Sequence, residues 1–318
     1  FGAMVTSVQN ETFEDLGREI NGIHFNKDGT KVFTSYSFPL AATPLDHLFI
    51  HEYNLSTPYD ISTRTYAGND ERCKTGSGSD GTETQFIHDL EFSSDGMKLF
   101  TTTRGNDGDV VYRFDLTSPY DISTCNFPVG SAVHATLNLD SQDLQNGSNA
   151  NAVDVPVAKG NNRLRGFDFS NDGKKLFIVM GGAGGNHYTR LLEYQLSIAY
   201  DLSTISLVTD AGIRLQDSGS DDTPVGNAKG FDFSPDGKKF WVIDHGDRDI
   251  TQISLDVAFS TSSYTIDGTV DLPLTGDGNA ALQPSGLTFS TNGLKMYTTN
   301  DEDEDILEYN LVCPFNII

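Results

Sequence analysis

Short apolar runs occur in pairs along the chain, with a polar turn between the two members of each pair. In residues 231–244 the sequence FDFSPDGKKFWVID alternates apolar and polar positions, turns at Asp236–Gly237 and then continues in apolar residues. This alternation predicts β-strands, and Asp-Gly between them predicts a tight hairpin, because such a turn needs a residue with positive φ. A two-stranded ribbon is only marginally stable in water, so this hairpin needs partners.

The partners are copies of the same hairpin. Four more begin near residues 23, 90, 167 and 287, each with a Phe, a Gly four positions later and a Lys two positions after that Gly. The phenylalanines that mark the copies are Phe25, Phe92, Phe169, Phe233 and Phe289. Internal repetition at this spacing predicts a solenoid, an array or a propeller.

Each hairpin continues into a third apolar run, a turn with an aromatic residue and a fourth short run. Five units of four strands, without a helical period, predict an all-β, five-bladed β-propeller of four-stranded antiparallel blades. An open stack is disfavoured because it would leave two apolar end faces without capping repeats. We expect a single domain over 1–318, with blades starting near residues 20, 87, 164, 228 and 284 and an insertion loop at 130–162.

The two ends of the chain predict how the ring closes. The last unit stops where the others enter their fourth run, and residues 5–10 (VTSVQN) resemble such a run. We therefore expect the N-terminal strand to pair with the last blade, which removes an exposed sheet edge.

The FSPDGKK unit resembles the repeats of TolB-type and YncE-like propellers over the first two strands of each blade. The resemblance implies a surface or periplasmic scaffold that binds proteins or small ligands without catalysis. It carries over only turn residues, namely Ser234, Asp236, Gly237 and Lys238 with their counterparts. For these, turn formation and solvation are sufficient explanations.

Candidate binding residues lie on the first strand of each predicted blade, which is the innermost. We expect a ligand at the channel mouth where these strands begin, and a polar ring further in, one position before each Phe. The mouth ring is Asn21, His88, Arg165, Lys229 and Ser285, and the inner ring is His24, Glu91, Asp168, Asp232 and Thr288. The predicted ligand-binding residues are Asn21, His24, His88, Glu91, Arg165 and Lys229. A water-filled channel with paired side chains is the alternative.

The hypothesis that the protein is an enzyme rests on three carboxylates. Asp89 stands where the other four blades carry Gly, and Asp168 and Asp232 belong to the inner ring. Two carboxyl groups across a funnel can act as acid and as base or nucleophile in glycoside hydrolysis. However, Asp168 and Asp232 occupy near-identical GFDFS contexts, which favours a role in folding over catalysis.

Aspartates also cluster between the second and third strands. Asp109, Asp249 and Asp305 directly precede the third strand of their blades, and Asp301 and Asp303 join the last of them. Oxygen-rich loops of this kind can bind Ca²⁺, although none has EF-hand spacing. Capping of tight turns is the alternative.

Composition narrows the function classes. The net charge of −24 repels phosphate backbones and anionic membranes, and the sequence contains no transmembrane run. The three cysteines leave at least one unpaired, and a Cys73–Cys125 disulfide is one option.

These observations predict a noncatalytic, secreted or cell-surface binding module. We expect a monomer in an extracellular, cell-surface or periplasmic location that recognises a glycan, a protein or a cation through its loop face. No cofactor is required, and Ca²⁺ is an optional one. The alternative function is a carbohydrate-active hydrolase with carboxylates in the central funnel.

Overall fold

A computed structural model of the protein shows five antiparallel sheets arranged in a ring, a five-bladed β-propeller. The structure describes residues 4–12, 19–37, 49–75, 86–105, 108–125, 136–138, 162–182, 189–215, 225–273, 283–300 and 305–318. Most of the predicted insertion at 130–162 lies outside the described residues. No helix within the described residues is long and apolar enough to cross a membrane.

The strands follow the repeat. Blade 1 contains β2 (Glu19–Phe25), β3 (Lys31–Ser37), β4 (Phe49–Leu55), β5 (Arg64–Tyr66) and β6 (Cys73–Lys74), and blade 2 contains β7 (Phe86–Phe92), β8 (Lys98–Gly105), β9 (Gly108–Asp115) and β10 (Thr136–Asn138). Blade 3 contains β11 (Asn162–Phe169), β12 (Lys175–Gly182), β13 (Arg190–Leu196) and β14 (Ile205–Arg214), and blade 4 contains β15 (Ala228–Phe233), β16 (Lys239–Asp244), β17 (Asp249–Leu255) and β18 (Tyr264–Asp271). Blade 5 contains β19 (Pro284–Phe289), β20 (Lys295–Asn300) and β21 (Asp305–Leu311).

The N-terminal strand β1 (Met4–Thr12) completes blade 5. It pairs antiparallel with β21, from Met4 opposite Leu311 to Thr12 opposite Asp305. The sheet order is therefore β1-β21-β20-β19, and the expectation that the N-terminal strand closes the ring is confirmed. Pairing the first strand of the chain with the last removes the open edge that blade 5 would otherwise present.

The hydrophobic core lies in the seams between blades. The Phe that ends each first strand packs against an aromatic side chain on the second strand of the preceding blade, with ring centroids 4.3–4.8 Å apart. The five pairs are Phe25–Tyr297, Phe92–Phe33, Phe169–Phe100, Phe233–Phe177 and Phe289–Trp241. Buried aromatic pairs of this kind stabilise more than their buried area alone, so the repeated Phe is explained by packing between neighbours.

Each hairpin turn is covered by an aromatic ring from the turn that follows the third strand of its own blade. Gly237 has φ of 65°, and a Cβ there would lie 2.2 Å from the ring of Phe259. Phe259 itself has φ of 52°, and its N–H donates to the Gly237 carbonyl oxygen at 2.8 Å. The glycine is therefore required both by backbone conformation and by the ring that packs over it.

The Lys two positions after each turn Gly takes part in contacts between blades. Lys175 Nζ lies 2.7 Å from Glu193 Oε1 on its own blade, and it donates at 2.7 Å to the Phe259 carbonyl oxygen of blade 4. Glu193 is buried, and its Oε2 accepts from the backbone N–H and hydroxyl of Thr261. Lys31–Glu52 and Lys295–Glu308 repeat the ion pair at 2.6 Å each. The Lys thus joins adjacent blades.

A disulfide joins blades 1 and 2. Cys73 on β6 bonds to Cys125, which follows the third-strand turn of blade 2, and their Cα atoms are 5.3 Å apart. Cys313 is a free, exposed thiol. The pairing left open by the sequence is therefore Cys73–Cys125.

Lys175→Met should lower the free energy of unfolding by about 3 kcal/mol, because it leaves the buried carboxylate of Glu193 without its charged partner. Lys174→Met is the matched control, since Lys174 is the exposed neighbour, and should change stability by less than about 0.5 kcal/mol. Denaturant unfolding of both variants measures the difference. Equal effects would show that the Lys175 ion pair does not stabilise the seam.

Replacing Cys73 and Cys125 together by Ser should lower stability by about 2–4 kcal/mol, because the disulfide restricts the unfolded chain across a separation of 52 residues. Thermal unfolding with and without reductant measures the effect. The double variant should no longer respond to reductant, whereas Cys313→Ser should behave as the parent protein does. A parent protein insensitive to reductant would contradict a stabilising disulfide.

Candidate functional site

A cavity of about 510 Å³ occupies the propeller axis at the end where the innermost strands finish. We call this end the turn face, because it carries the hairpin turns between the first and second strands. The floor of the cavity is the inner ring of His24, Glu91, Asp168, Asp232 and Thr288. Its walls are the five seam phenylalanines, and its rim consists of Tyr59, Tyr120, Tyr200, Phe259 and Phe315. The sequence analysis expected the ligand at the opposite end of the same strands, where they begin.

Two floor aspartates connect neighbouring blades. Asp168 Oδ2 accepts the backbone N–H of Phe233 at 3.1 Å, and Asp232 Oδ2 accepts that of Phe289 at 3.0 Å. Each acceptor lies one blade before its donor. Asp168 Oδ1 also accepts the N–H of Phe169 at 2.6 Å. These bonds hold the innermost strands together at the axis, which explains why both aspartates occur in the same GFDFS context.

Burial governs the charge of these carboxyl groups. Burial, and then the negative charge of Glu91, raise the pKa of Asp168 and of Asp232 well above the usual range. The N–H donors favour the ionised form but do not outweigh burial. The floor therefore favours the protonated acids, or a cation that compensates the ionised ones.

His24 and Glu91 form a pair on adjacent blades. His24 Nδ1 lies 3.2 Å from Glu91 Oε1, which also accepts the backbone N–H of Phe92 at 3.2 Å. The His24 ring packs against Phe92 with centroids 5.3 Å apart. Glu91 Oε2 accepts no hydrogen bond from the described residues, so this oxygen is available for a ligand.

The rim is polar on one side and apolar on the other. The Tyr59 hydroxyl donates to Thr291 Oγ1 at 3.1 Å, and the Tyr200 hydroxyl accepts the N–H of Ser94 at 3.1 Å. Both bonds reach a hairpin turn of the preceding blade. Blades 4 and 5 carry Phe259 and Phe315 instead and lack this hydroxyl. The two sides of the rim therefore offer a ligand different surfaces.

The predicted mouth ring lies at the other end of the innermost strands, beside a bulge. In every blade the pairing of the first and second strands shifts register next to this ring. Asn21 is buried there and accepts from the Ser285 hydroxyl at 3.2 Å, which links blades 5 and 1. The cavity is lined by His24 and Glu91 but not by Asn21, His88, Arg165 or Lys229. The structure thus brings two of the six predicted binding residues to the cavity.

Close approach of the innermost strands explains the glycines beside the mouth ring. A Cβ at Gly286 would lie 2.2 Å from the Asn21 carbonyl oxygen, and one at Gly230 would lie 2.4 Å from that of Ser285. Asp89 takes this position in blade 2. Its Oδ2 accepts the N–H of Phe167 in blade 3 at 3.1 Å, and burial together with Glu91 raises its pKa. Like Asp168 and Asp232, Asp89 connects adjacent blades.

The structure describes only some of the loop aspartates that were predicted to bind Ca²⁺. Asp301 and Asp303 lie outside the described residues, as does the side chain of Asp109. Asp305 is buried, and burial followed by Asp244, Asp247 and Asp271 raises the pKa of Asp249 to about 7. Among the described residues, no group of three or more His, Cys, Asp or Glu side chains is arranged to hold a metal ion. Calcium binding stays a prediction.

Asp244 shows what holds the loop of blade 4 in place. Its Oδ1 accepts the N–H groups of Gly246 and Asp247 at 2.7 and 3.1 Å, and its Oδ2 accepts those of Gly226 and Asn227. A carboxylate with four backbone donors organises the turn itself.

Comparison with known proteins shows the fold and no closer relationship. No known protein family matches the sequence, and no curated protein matches it. The resemblance to TolB-type repeats therefore stays a prediction. The chain is similar in structure to a periplasmic gluconolactonase of Pseudomonas aeruginosa, with 13% identity, a TM-score of 0.50 and coverage of 96% of this chain and 79% of that one.

Two other solved structures are similar over most of this chain. A 6-phosphogluconolactonase candidate from Bacteroides uniformis has 15% identity and a TM-score of 0.45. The alignment covers 93% of this chain and 68% of that protein. A protein of unknown function from Desulfotomaculum acetoxidans has 12% identity and a TM-score of 0.42. That alignment covers 89% of this chain but only 63% of the other protein, which is the longer of the two.

Stability should depend on pH through Asp168. An acid with a raised pKa in the folded protein binds protons more tightly when folded, so its contribution is full below its ordinary pKa and is lost as the pH rises through the raised value. As the pH rises above about 4, the ordinary pKa of an aspartic acid, Asp168→Asn should therefore gain stability relative to the parent, which denaturant unfolding at a series of pH values measures.

Asp172→Asn is the control for this measurement. Hydrogen bonds from Ser170 and Lys174 lower the pKa of Asp172, so its contribution changes only below its ordinary pKa, and Asp172→Asn should show no change in relative stability as the pH rises above about 4. Blade 5 carries Asn292 at the equivalent position with the same turn hydrogen bonds, so the substitution preserves the turn. A pH-independent difference for Asp168→Asn would contradict the raised pKa.

Proposed function

We propose that this protein is a noncatalytic binding module that holds a small hydroxylated ligand, such as the end of a glycan, in the cavity at the turn face. The supporting observation is the combination of an axial cavity of about 510 Å³, hydrogen-bonding groups on its floor and aromatic side chains around its walls and rim. Sugars present hydroxyl groups at the ring edge and C–H groups on the ring face, so they suit a site with both features.

The bonding of the carboxylates supports binding over catalysis. A glycosidase needs an acid and a second carboxylate that reach opposite sides of the scissile bond. Here Asp168 and Asp232 accept N–H groups from the following blade, and Asp89 does the same. Their common task is to hold the ring together. Glu91 Oε2, in contrast, accepts no hydrogen bond from the described residues.

The disulfide between blades supports a location outside the cytoplasm. Disulfides form and persist in oxidising compartments, and Cys73–Cys125 joins two blades of this protein. This agrees with an extracellular, cell-surface or periplasmic binding module, where glycans are common ligands.

A hydrolase acting on a sugar bond or a sugar lactone is the second candidate. The observation that favours it is the His24–Glu91 pair, because an imidazole 3.2 Å from a carboxylate in a cavity is a potential acid–base pair. The similar structure described as a gluconolactonase shares the fold at 13% identity. Product analysis after incubation with bound glycans and with gluconolactone separates this candidate from pure binding.

A glycan array should identify carbohydrate ligands, and Glu91→Gln should weaken the best of them about tenfold, as expected when one charge-assisted hydrogen bond is lost. Isothermal titration of parent and variant measures the change. Asp172→Asn is the control outside the cavity and should bind as the parent does. A ligand whose affinity is the same for Glu91→Gln would place the site elsewhere, and released product would establish the hydrolase instead.

A further inference from the structure

We propose that the cavity selects ligands that carry a primary ammonium group, which makes amino sugars and related small hydroxylated amines its ligand class. The inference rests on the proposed function and adds the charge of the ligand. Its basis is the balance of charged groups around the cavity, together with the aromatic walls that surround them.

The floor has more carboxylates than basic partners. Glu91, Asp168 and Asp232 stand on three consecutive blades, and the basic side chain in contact with them is His24, which pairs with Glu91. Within the described residues, no Lys or Arg forms an ion pair with Asp168 or Asp232. The charged groups that shift the pKa of these two acids are other carboxylates.

Most lysines near the cavity already have ion-pair or hydrogen-bond partners in the seams between blades. Lys31, Lys175 and Lys295 pair with buried glutamates at 2.6–2.7 Å, and Lys239 donates to the Phe315 carbonyl oxygen and to Asn316. In blade 2, Lys98 and Arg113 share Asp115. Lys27 lies in a hairpin turn at the rim of the cavity and is exposed. Among the described residues, no Lys or Arg therefore stands on the floor opposite Asp168 and Asp232.

An ammonium group fits these acceptors better than a metal ion does. The described carboxylates do not form a set of three metal ligands, so the floor does not offer the oxygen cage that Ca²⁺ requires. An ammonium group has three separate donors and can use acceptors on different blades. Asp168 and Asp232 each accept backbone N–H groups, and each carboxylate oxygen retains a second lone pair.

The aromatic walls favour the same ligand charge. Five phenylalanines and five rim aromatics surround the space above the floor. A cation close to an aromatic face is stabilised by the electrons of the ring, and the effect grows when water is excluded. A neutral sugar would leave the floor acids protonated and gain no charge attraction, and an anionic sugar would not be favoured by a floor of acidic groups.

Isothermal titration with glucosamine, glucose and N-acetylglucosamine tests the inference, because the three share a ring and differ in charge at one position. Glucosamine should bind at least about tenfold more tightly than the neutral sugars, which corresponds to about 1.4 kcal/mol. Because the pKa values of Asp168 and Asp232 are raised in the empty cavity, binding of the ammonium group should release protons. Titrations in two buffers of different ionisation enthalpy measure that release.

Asp232→Asn should abolish the preference for glucosamine and retain binding of the neutral sugars, while Asp172→Asn should keep the preference. Thermal unfolding shows whether Asp232→Asn is folded. Salt provides a readout that needs no variant, since raising NaCl to about 0.5 M should weaken binding of glucosamine and leave N-acetylglucosamine unaffected.

The outcomes separate the two proposals. Equal affinity for all three sugars, or a preference unchanged in Asp232→Asn and at high salt, would overturn the ammonium inference and leave glycan binding intact. Binding of n-propylamine without binding of any sugar would support the ammonium site and contradict the glycan function. The absence of binding by sugars and amine alike would overturn both.

Discussion

The close approach of five innermost strands at the axis is the constraint on which the rest of the structure depends. At Gly286 a Cβ would lie 2.2 Å from a backbone carbonyl oxygen of the next blade, so the strands meet there through their backbones. The register of each first strand shifts at this point. Further along, the side chains of Asp168 and Asp232 connect one blade to the next. The innermost strands thus meet through their backbones at the bulge end and through carboxylate side chains further along. The cavity lies beyond these carboxylates, at the turn face.

The same constraint explains the buried charges. Neighbouring blades contact each other at the axis and in the seams. At both places charged side chains contribute in addition to apolar packing. At the seams a lysine is paired with a buried glutamate, so its charge is compensated. At the axis the aspartates have backbone donors but no cationic partner among the described residues, and their pKa values rise. This imbalance at the centre is the physical basis of the proposal that the ligand carries positive charge.

Much of the fold was predictable from the sequence because it repeats. Alternation, the Asp-Gly turns and the fivefold copy number predicted the blades, and residues 5–10 predicted the closure that β1 makes with β21. The role of the hairpin lysine was missed, since Lys175 reaches Glu193 and Phe259 and both are distant in sequence. The left-handed conformation of Phe259 and its equivalents was also missed, because it depends on packing against a glycine of another turn. Of the predicted binding residues, His24 and Glu91 line the cavity and the other four do not, because periodicity alone does not reveal which end of a strand is open.

The central claim is that the cavity above the inner ring is where this protein binds its ligand. A crystal structure of the protein soaked with glucosamine tests it most directly, because it reports the position of the ligand without a variant. The account predicts density at the axis on the turn face, with the amino group within hydrogen-bonding distance of Asp168 or Asp232 and the sugar ring against the rim aromatics. Ordered ligand at the bulge end near Asn21, or on the loop of Asp244 to Asp249, with an empty axial cavity would contradict it.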